Sequence, residues 1–335
     1  MKRIGYGVIG VGFFGEKHIE VLSNMPNVRL LGICRRSLEP LKEIAKKYNV
    51  PNIYTDYNEL LANEEIEAVS ITTHIDNHLE PTIASLKAGK HVFLEKPMAK
   101  SLLECDKIIK EANLTDKFFM VGHICRFDPR YAIAKRTIED GKIGKIVSIY
   151  ARRNIPASVS KSVLSKIGPL MGDGVHDTDL MLWYTKAKIR SVYAQTVSVR
   201  NLANPDIGWA MYRFNDKAIG VIENTWYLPE KTPFQIDSRM EIIGEKGVIY
   251  IGGEAQGIAI NNENGWKLPD TYYWPNVHGK RVGILKEEIS YFIECILSAK
   301  KPTIITPEES KEAVKVMLAA EKSAKTGQII FLPGK

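Results

Sequence analysis

Gly10-Val11-Gly12-Phe13-Phe14-Gly15 stands directly after an apolar run at 4–9 and opens a helical stretch, a G-x-G-x-x-G spacing with a physical logic. The first glycine makes a tight turn, the second lets a pyrophosphate approach the backbone, and the third lets helix and strand pack closely. Free N–H groups at the helix start then present positive potential to phosphate. Glycine loops also occur as plain turns. The strand–loop–helix setting selects the dinucleotide reading and makes Gly10, Gly12, Phe13, Phe14 and Gly15 candidate contacts.

The next chemical signal ends the second apolar run. A dinucleotide site for NAD(H) usually places Asp or Glu there, about twenty residues past the glycines, to accept from the ribose 2′-hydroxyl. Here Leu31-Gly32-Ile33-Cys34 runs into Arg35-Arg36-Ser37, with no carboxylate at the tip. Two guanidinium groups and a hydroxyl suit a 2′-phosphate, because arginine pairs with phosphate as a planar fork. The other reading makes both arginines ordinary solvated charges. The missing acid favours NADP(H), with NAD(H) as the alternative.

These residues need a scaffold, and the hydrophobic rhythm supplies one. Apolar runs at 4–9, 28–34, 68–72, 91–94 and 118–121 alternate with helical stretches at 15–23, 38–48, 79–88 and 101–111. Such alternation calls for a doubly wound parallel sheet with right-handed crossovers, an α/β Rossmann domain over residues 1–122. Beyond about residue 145 the chain turns β-rich, at 146–152, 191–199, 209–214, 218–228, 239–243, 248–252 and 258–261. Helices near 128–139 and 173–184 cover one face, and two more close the chain at 285–299 and 307–326. Residues 123–335 therefore read as an α+β domain with a large, mainly antiparallel sheet.

Composition bounds the function. The chain has 335 residues, 44% hydrophobic and 25% charged, as in two-domain globular proteins. No run approaches the roughly 20 apolar residues of a membrane span. Glycines break the short apolar N-terminus, so it reads as a strand and not a signal peptide, which places the protein in the cytoplasm. Cys34, Cys105, Cys125 and Cys295 are scattered without metal-ligand spacing, so no metal site is expected. The net charge of +7 is spread along helices and shows no basic-aromatic groove for nucleic acid.

Further motifs bring a family resemblance. Ala88-Gly89-Lys90-His91-Val92-Phe93-Leu94 leads into Glu95-Lys96-Pro97; Gly122-His123-Ile124-Cys125-Arg126-Phe127-Asp128-Pro129 matches a G-x-x-x-R-F-x-P junction. Asp140-Gly141-Lys142-Ile143-Gly144 is a strand-leading turn, and Gly174-Val175-His176-Asp177-Thr178-Asp179-Leu180 follows G-x-H-x-x-D-L. With the glycine loop, these segments resemble the glucose-fructose oxidoreductase and inositol dehydrogenase (Gfo/Idh/MocA) family, in its order and over essentially the whole chain.

The resemblance implies that Lys96 and His176 face the nicotinamide and the reacting carbinol. The chemistry agrees: removing hydride from an alcohol carbon requires loss of the hydroxyl proton to a base near neutrality, which suits His176. Lys96 can hydrogen-bond the same oxygen as charge develops. Pro97 restricts Lys96 to extended backbone, and the family often has a cis peptide there. Glu95 and Arg126 join the cofactor set, as do Thr72, Thr73, Asn77 and His78 beside ribose and nicotinamide. There are two departures. Many members carry Asp four residues before the histidine, where this chain has Gly172; Asp173 or Asp177 would orient His176 instead, or Asp173 is only a helix N-cap. Thr73 is followed by His74 where the family often has Thr-Pro.

The implied reaction is hydride transfer at a secondary alcohol or ketone of a sugar, nucleotide sugar or cyclitol. Arg152, Arg153, Asn154, Trp226, Tyr227, Tyr272, Tyr273, Trp274 and His278 are candidate substrate-wall groups. Alternatives are a glycosidase that retains its dinucleotide and a non-catalytic ligand sensor. Family members pair sheets face to face, which predicts a homodimer or homotetramer through the C-terminal sheet.

Overall fold

The computed structural model describes residues 3–160, 166–252, 258–263 and 265–333. The first elements are β1 (Ile4–Ile9), α1 (Phe13–Leu22), β2 (Val28–Cys34), α2 (Leu38–Tyr48), β3 (Asn52–Tyr54), α3 (Tyr57–Leu61), β4 (Ala68–Ile71), α4 (Leu79–Lys87), β5 (His91–Glu95), α5 (Leu102–Asn113) and β6 (Phe119–Gly122). There follow α6 (Pro129–Glu139), β7 (Ile146–Asn154), α7 (Ala157–Ser160), a π-helical turn at Leu170–Gly174, α8 (Val175–Thr185), β8 (Ile189–Val197), β9 (Ile207–Phe214), β10 (Ile219–Thr225), β11 (Asp237–Gly244) and β12 (Val248–Ile251). The chain ends with β13 (Ile260–Asn262), β14 (Gly265–Lys267), β15 (Asn276–Val277), β16 (Lys280–Arg281), α9 (Ile284–Ser298), α10 (Pro307–Thr326) and β17 (Ile330–Phe331). Two compact units form: Met1–Phe127 with Tyr272–Lys311, and Asp128–Thr271 with Glu312–Lys335. The aromatic segment at 272–274 thus groups with the first unit, where a single boundary after residue 122 would put it in the second.

In the first unit six parallel strands run in the order β3-β2-β1-β4-β5-β6, the expected doubly wound arrangement. All six residues of β1 are buried, as a strand covered by helices on both faces requires. α2 buries only Leu41 and carries Lys46 and Lys47 in its last turn, where they suit the helix dipole. Ser101 starts α5 by accepting the Glu104 N–H at 3.2 Å.

In the second unit the main sheet runs β12-β11-β7-β10-β9-β8-β17. Among its described pairs β10 with β7 is parallel and the others are antiparallel, so the mainly antiparallel sheet is present. Ile258 lies outside this sheet, and Ile260–Asn262 pairs with β14 in a separate hairpin. Along β7, buried Ile149, Ala151 and Arg153 alternate with the less buried Tyr150 and Arg152. The Thr178 hydroxyl meets the Tyr212 hydroxyl at 2.8 Å and ties α8 to β9 on the buried face. No helix among the described residues is long and apolar enough to cross a membrane.

Candidate active site

Strand register gathers the first group of predicted residues. Cys34 pairs with Ile9, Ile9 with Ile71, Ile71 with Leu94, and Leu94 with Val121. All five strands are parallel, so Arg35, Gly10, Thr72, Lys96 and His123 follow one carboxyl edge. The order reverses between β1 and β4, the switch point at which doubly wound sheets bind ligands.

The glycine loop is built for close approach. Gly10 has φ +98°, and a Cβ there would lie 2.6 Å from the Thr73 nitrogen. A Cβ on Gly15 would meet the Gly10 oxygen at 2.5 Å, whereas one on Gly12 would meet nothing within 4 Å. Gly12 begins α1 without a side-chain cap, so the helix start faces open space as a phosphate cradle must. The Thr72 hydroxyl donates to the Gly10 carbonyl at 2.8 Å and holds the loop on β4. Phe13 is 74% exposed. Phe14 turns inward, edge-on to His18 and Trp274.

At the β2 tip, Arg35 donates from Nη1 to the Val11 carbonyl at 3.1 Å, which braces the glycine loop. Arg36 and Ser37 are exposed, and Ser37 starts α2 without spending its hydroxyl on the helix. The Thr73 hydroxyl donates to the carbonyl of exposed Asn77 at 2.9 Å.

Three residues expected around the cofactor have other documented partners. His78 is buried, its two ring nitrogens 2.9 Å from the Pro97 and Thr73 carbonyls. Burial pushes its pKa down while those carbonyls and the Glu95 charge pull the other way. Glu95 faces His18 at 3.1 Å and the Lys96 N–H at 3.3 Å. Buried Arg126 donates to the Ile304 carbonyl at 2.7 Å and to Glu309 at 3.1 Å. All three stabilise the loops around the carboxyl edge. Lys96 is half-buried, and the Lys96–Pro97 peptide is cis.

The second unit holds His176, 6% exposed, in the first turn of α8. Asp173 lies inside the π-turn and the capping position of α8 is Gly174, so the N-cap reading of Asp173 does not hold. Its Oδ2 accepts the Trp226 indole N–H at 2.7 Å. Asp177 accepts from Arg153 Nη2 at 2.8 Å, both side chains being buried. Burial raises the Asp177 pKa and Arg153 opposes the shift. Gly172 has a steric reason: a Cβ there would lie 2.5 Å from the Trp226 ring.

The expected substrate wall is largely engaged. Arg152 pairs with Asp237 at 2.8 Å, and Asn154 donates to Glu223 at 2.7 Å. Trp226 is 3% exposed and packs with Ile155 in an apolar cluster. Arg200 lies over the ring of Tyr227. In the first unit Tyr273 is buried, Trp274 packs on Phe14, and exposed His278 has φ +51°.

Sequence reasoning missed the buried His18, Ser70 and Tyr6, joined to one another and to Glu95. The signal was a histidine three residues past Gly15, on the face of α1 that also buries Ile19 and Leu22.

Comparison with known proteins accords with this geometry. Residues 4–123 match the profile of the Gfo/Idh/MocA oxidoreductase family, NAD-binding Rossmann fold, and residues 131–250 match the Gfo/Idh/MocA C-terminal domain. A myo-inositol 2-dehydrogenase of Thermotoga maritima is 28% identical over 324 residues, 95% of each chain. A 2,7-anhydro-N-acetylneuraminate hydratase of Mediterraneibacter gnavus is 30% identical over 266 residues, 75% of this chain and 68% of that protein. The crystal structure of a probable dehydrogenase from Thermotoga maritima superposes with a TM-score of 0.81 at 26% identity, covering 98% of both chains. With an open glycine loop at the switch point, Lys96 on the same sheet edge and both profiles matched in order, this chain belongs to the Gfo/Idh/MocA family of oxidoreductases.

Proposed function

We propose that the protein is a nicotinamide-dependent dehydrogenase acting on a secondary alcohol of a cyclitol or sugar, with Lys96 and His176 serving the reacting oxygen. One observation carries the reading: the open cradle at Gly12 and the lysine after β5 share a carboxyl edge of one parallel sheet. The bound dinucleotide would supply the hydride acceptor or donor. Gly10, Gly12 and Gly15 would let its phosphates approach, and Phe13, Thr72, Thr73 and Asn77 border the cradle along the chain. His176 takes the hydroxyl proton in oxidation and returns it in reduction, as an imidazole near neutrality can. Lys96 donates a hydrogen bond to the same oxygen and stabilises the charge that develops on it. Asp173 and Asp177 hold the turn and helix that carry His176. The relative named as a myo-inositol 2-dehydrogenase supports a polyol substrate. The exposed Arg36 guanidinium and Ser37 hydroxyl at the β2 tip suit a 2′-phosphate and favour NADP(H) over NAD(H).

A second reading has one specific support, the relative named as a hydratase. The same residues would then serve a redox-neutral reaction, such as glycosidic cleavage through transient oxidation, with the dinucleotide retained. A screen of cyclitols and sugars with NAD and NADP separates the two. Net reduction of added cofactor with a polyol establishes the dehydrogenase, whereas product without net reduction establishes the alternative.

For assembly we propose a homodimer or homotetramer through the second unit's outer sheet face. There Tyr193, Trp209, Met211 and Ile219 are 40%, 44%, 53% and 39% exposed on neighbouring strands. A monomeric mass by light scattering would remove this assignment.

A further inference from the structure

Four side chains from four elements form one buried chain in the first unit. The Tyr6 hydroxyl on β1 lies 3.1 Å from Ser70 Oγ on β4. Ser70 Oγ lies 3.1 Å from Nδ1 of His18 on α1, and His18 Nε2 lies 3.1 Å from Glu95 Oε1 on β5. Glu95 Oε2 accepts the backbone N–H of Lys96 at 3.3 Å. Tyr6, His18 and Ser70 are 0% exposed and Glu95 7%.

With Glu95 ionised and His18 neutral, one assignment of protons satisfies every atom. The carboxylate only accepts, so Nε2 donates to it; Nδ1 must then accept from Ser70, whose oxygen accepts from Tyr6. Burial pushes the Tyr6 hydroxyl well above its ordinary range, which keeps it a donor. Phe14 and Phe93 stand edge-on to His18 at 5.5 and 5.3 Å, packing its ring from two sides. A fully satisfied polar chain in such surroundings is stiff and specifies one arrangement.

Its ends tell what it can do. One end is buried Tyr6 and the other is the backbone N–H of Lys96, so the chain fixes the lysine's turn. His18 is its central link, three residues beyond Gly15 on the helix whose start forms the glycine loop. We propose that His18 is a positioning residue for Lys96, joining the glycine-loop helix to the turn that carries the lysine; its catalytic consequence rests on the function proposed above. The His18–Glu95 bond carries the effect, because it links α1 directly to the Glu95-Lys96 turn.

The test compares His18→Gln, whose amide can reach Glu95 as Nε2 does, with His18→Asn, whose shorter amide keeps only the Ser70 side. Reaction of Lys96 with an amine reagent is followed by peptide mass spectrometry in the ligand-free full-length protein, relative to an exposed lysine such as Lys42. Turnover is measured in parallel. Loss of preorganisation in His18→Asn is expected to raise Lys96 labelling about three-fold or more and lower kcat about ten-fold with KM little changed. His18→Gln is expected to return both to within about two-fold of the parent. Ser70→Ala, which leaves the Glu95 bond intact, is expected to keep labelling within about two-fold.

Equal effects of the Gln and Asn variants, accompanied by equal losses of thermal stability, would show a packing role and overturn the proposal. So would unchanged labelling in folded His18→Asn, or a rise in Ser70→Ala equal to that of His18→Asn. Labelling needs no substrate. Absence of dehydrogenase turnover would therefore overturn the proposed function and leave the labelling order to decide the positioning role.

Discussion

The indole N–H of Trp226 donates to Asp173 at 2.7 Å, and the same ring fills the space that a side chain at residue 172 would need. The π-turn before His176 is thus held by a residue more than fifty positions later in the chain. Gly172→Ala is expected to cost about 1–3 kcal/mol through overpacking against the ring. Adding Trp226→Ala should make the pair less damaging than the sum of its parts, because the clash disappears with the indole. Strict additivity in denaturant unfolding would show that the contact is unimportant.

Arg153 and Asp177 form a buried pair on the inner sheet face beside His176. Asp177→Asn removes the carboxylate charge that faces the buried guanidinium and is expected to destabilise the protein by about 3–5 kcal/mol. The combined change of Arg153→Met with Asp177→Leu should recover much of that loss. Chemical denaturation of the three proteins measures the order.

Lys96→Ala is expected to abolish turnover while leaving the dinucleotide affinity within a few-fold. Binding is read by protein fluorescence and turnover by absorbance of the reduced nicotinamide. Normal turnover in this variant would remove Lys96 from the chemistry.

The Arg35-Arg36-Ser37 tip makes a separable forecast. Arg36→Ala should weaken NADPH far more than NADH, because Arg36 is exposed at the tip and its guanidinium suits an extra phosphate. Arg35→Ala should weaken both, because its documented bond is to the glycine loop. Competition binding with the two reduced cofactors settles it, and an equal loss in Arg36→Ala removes the 2′-phosphate assignment.

Asp206 sets a pH dependence. Burial alone would raise its carboxyl, but the Arg200 and Val199 N–H groups and the Arg200 charge prevail and hold it below the usual range. A lowered folded pKa means that the unfolded chain binds more protons between the two values. The stabilisation is present above the ordinary aspartate range and is lost as pH falls through the folded value. Asp206→Asn should therefore lower stability at pH 7 and flatten its decline in acid. Parallel stability-against-pH curves for the two proteins would contradict this.

Much of the protein was legible in the amino-acid sequence. The period of the apolar runs determined a parallel sheet followed by an antiparallel one, because buried strands and helix faces must repeat at the spacing of their own geometry. Local spacing likewise singled out Gly10–Gly15, since a tight turn and close backbone approach are demands made within six residues. Other roles depended on neighbours distant in the chain. Glu95 and His78 are acceptor and ring wherever they stand, and only the folded sheet supplied His18 to one and the Pro97 carbonyl to the other. Gly172 looked like a missing acid until Trp226 arrived against it. Backbone pattern is a short-range property that sequence carries openly, whereas a buried polar atom acquires its role from whichever partner packing delivers.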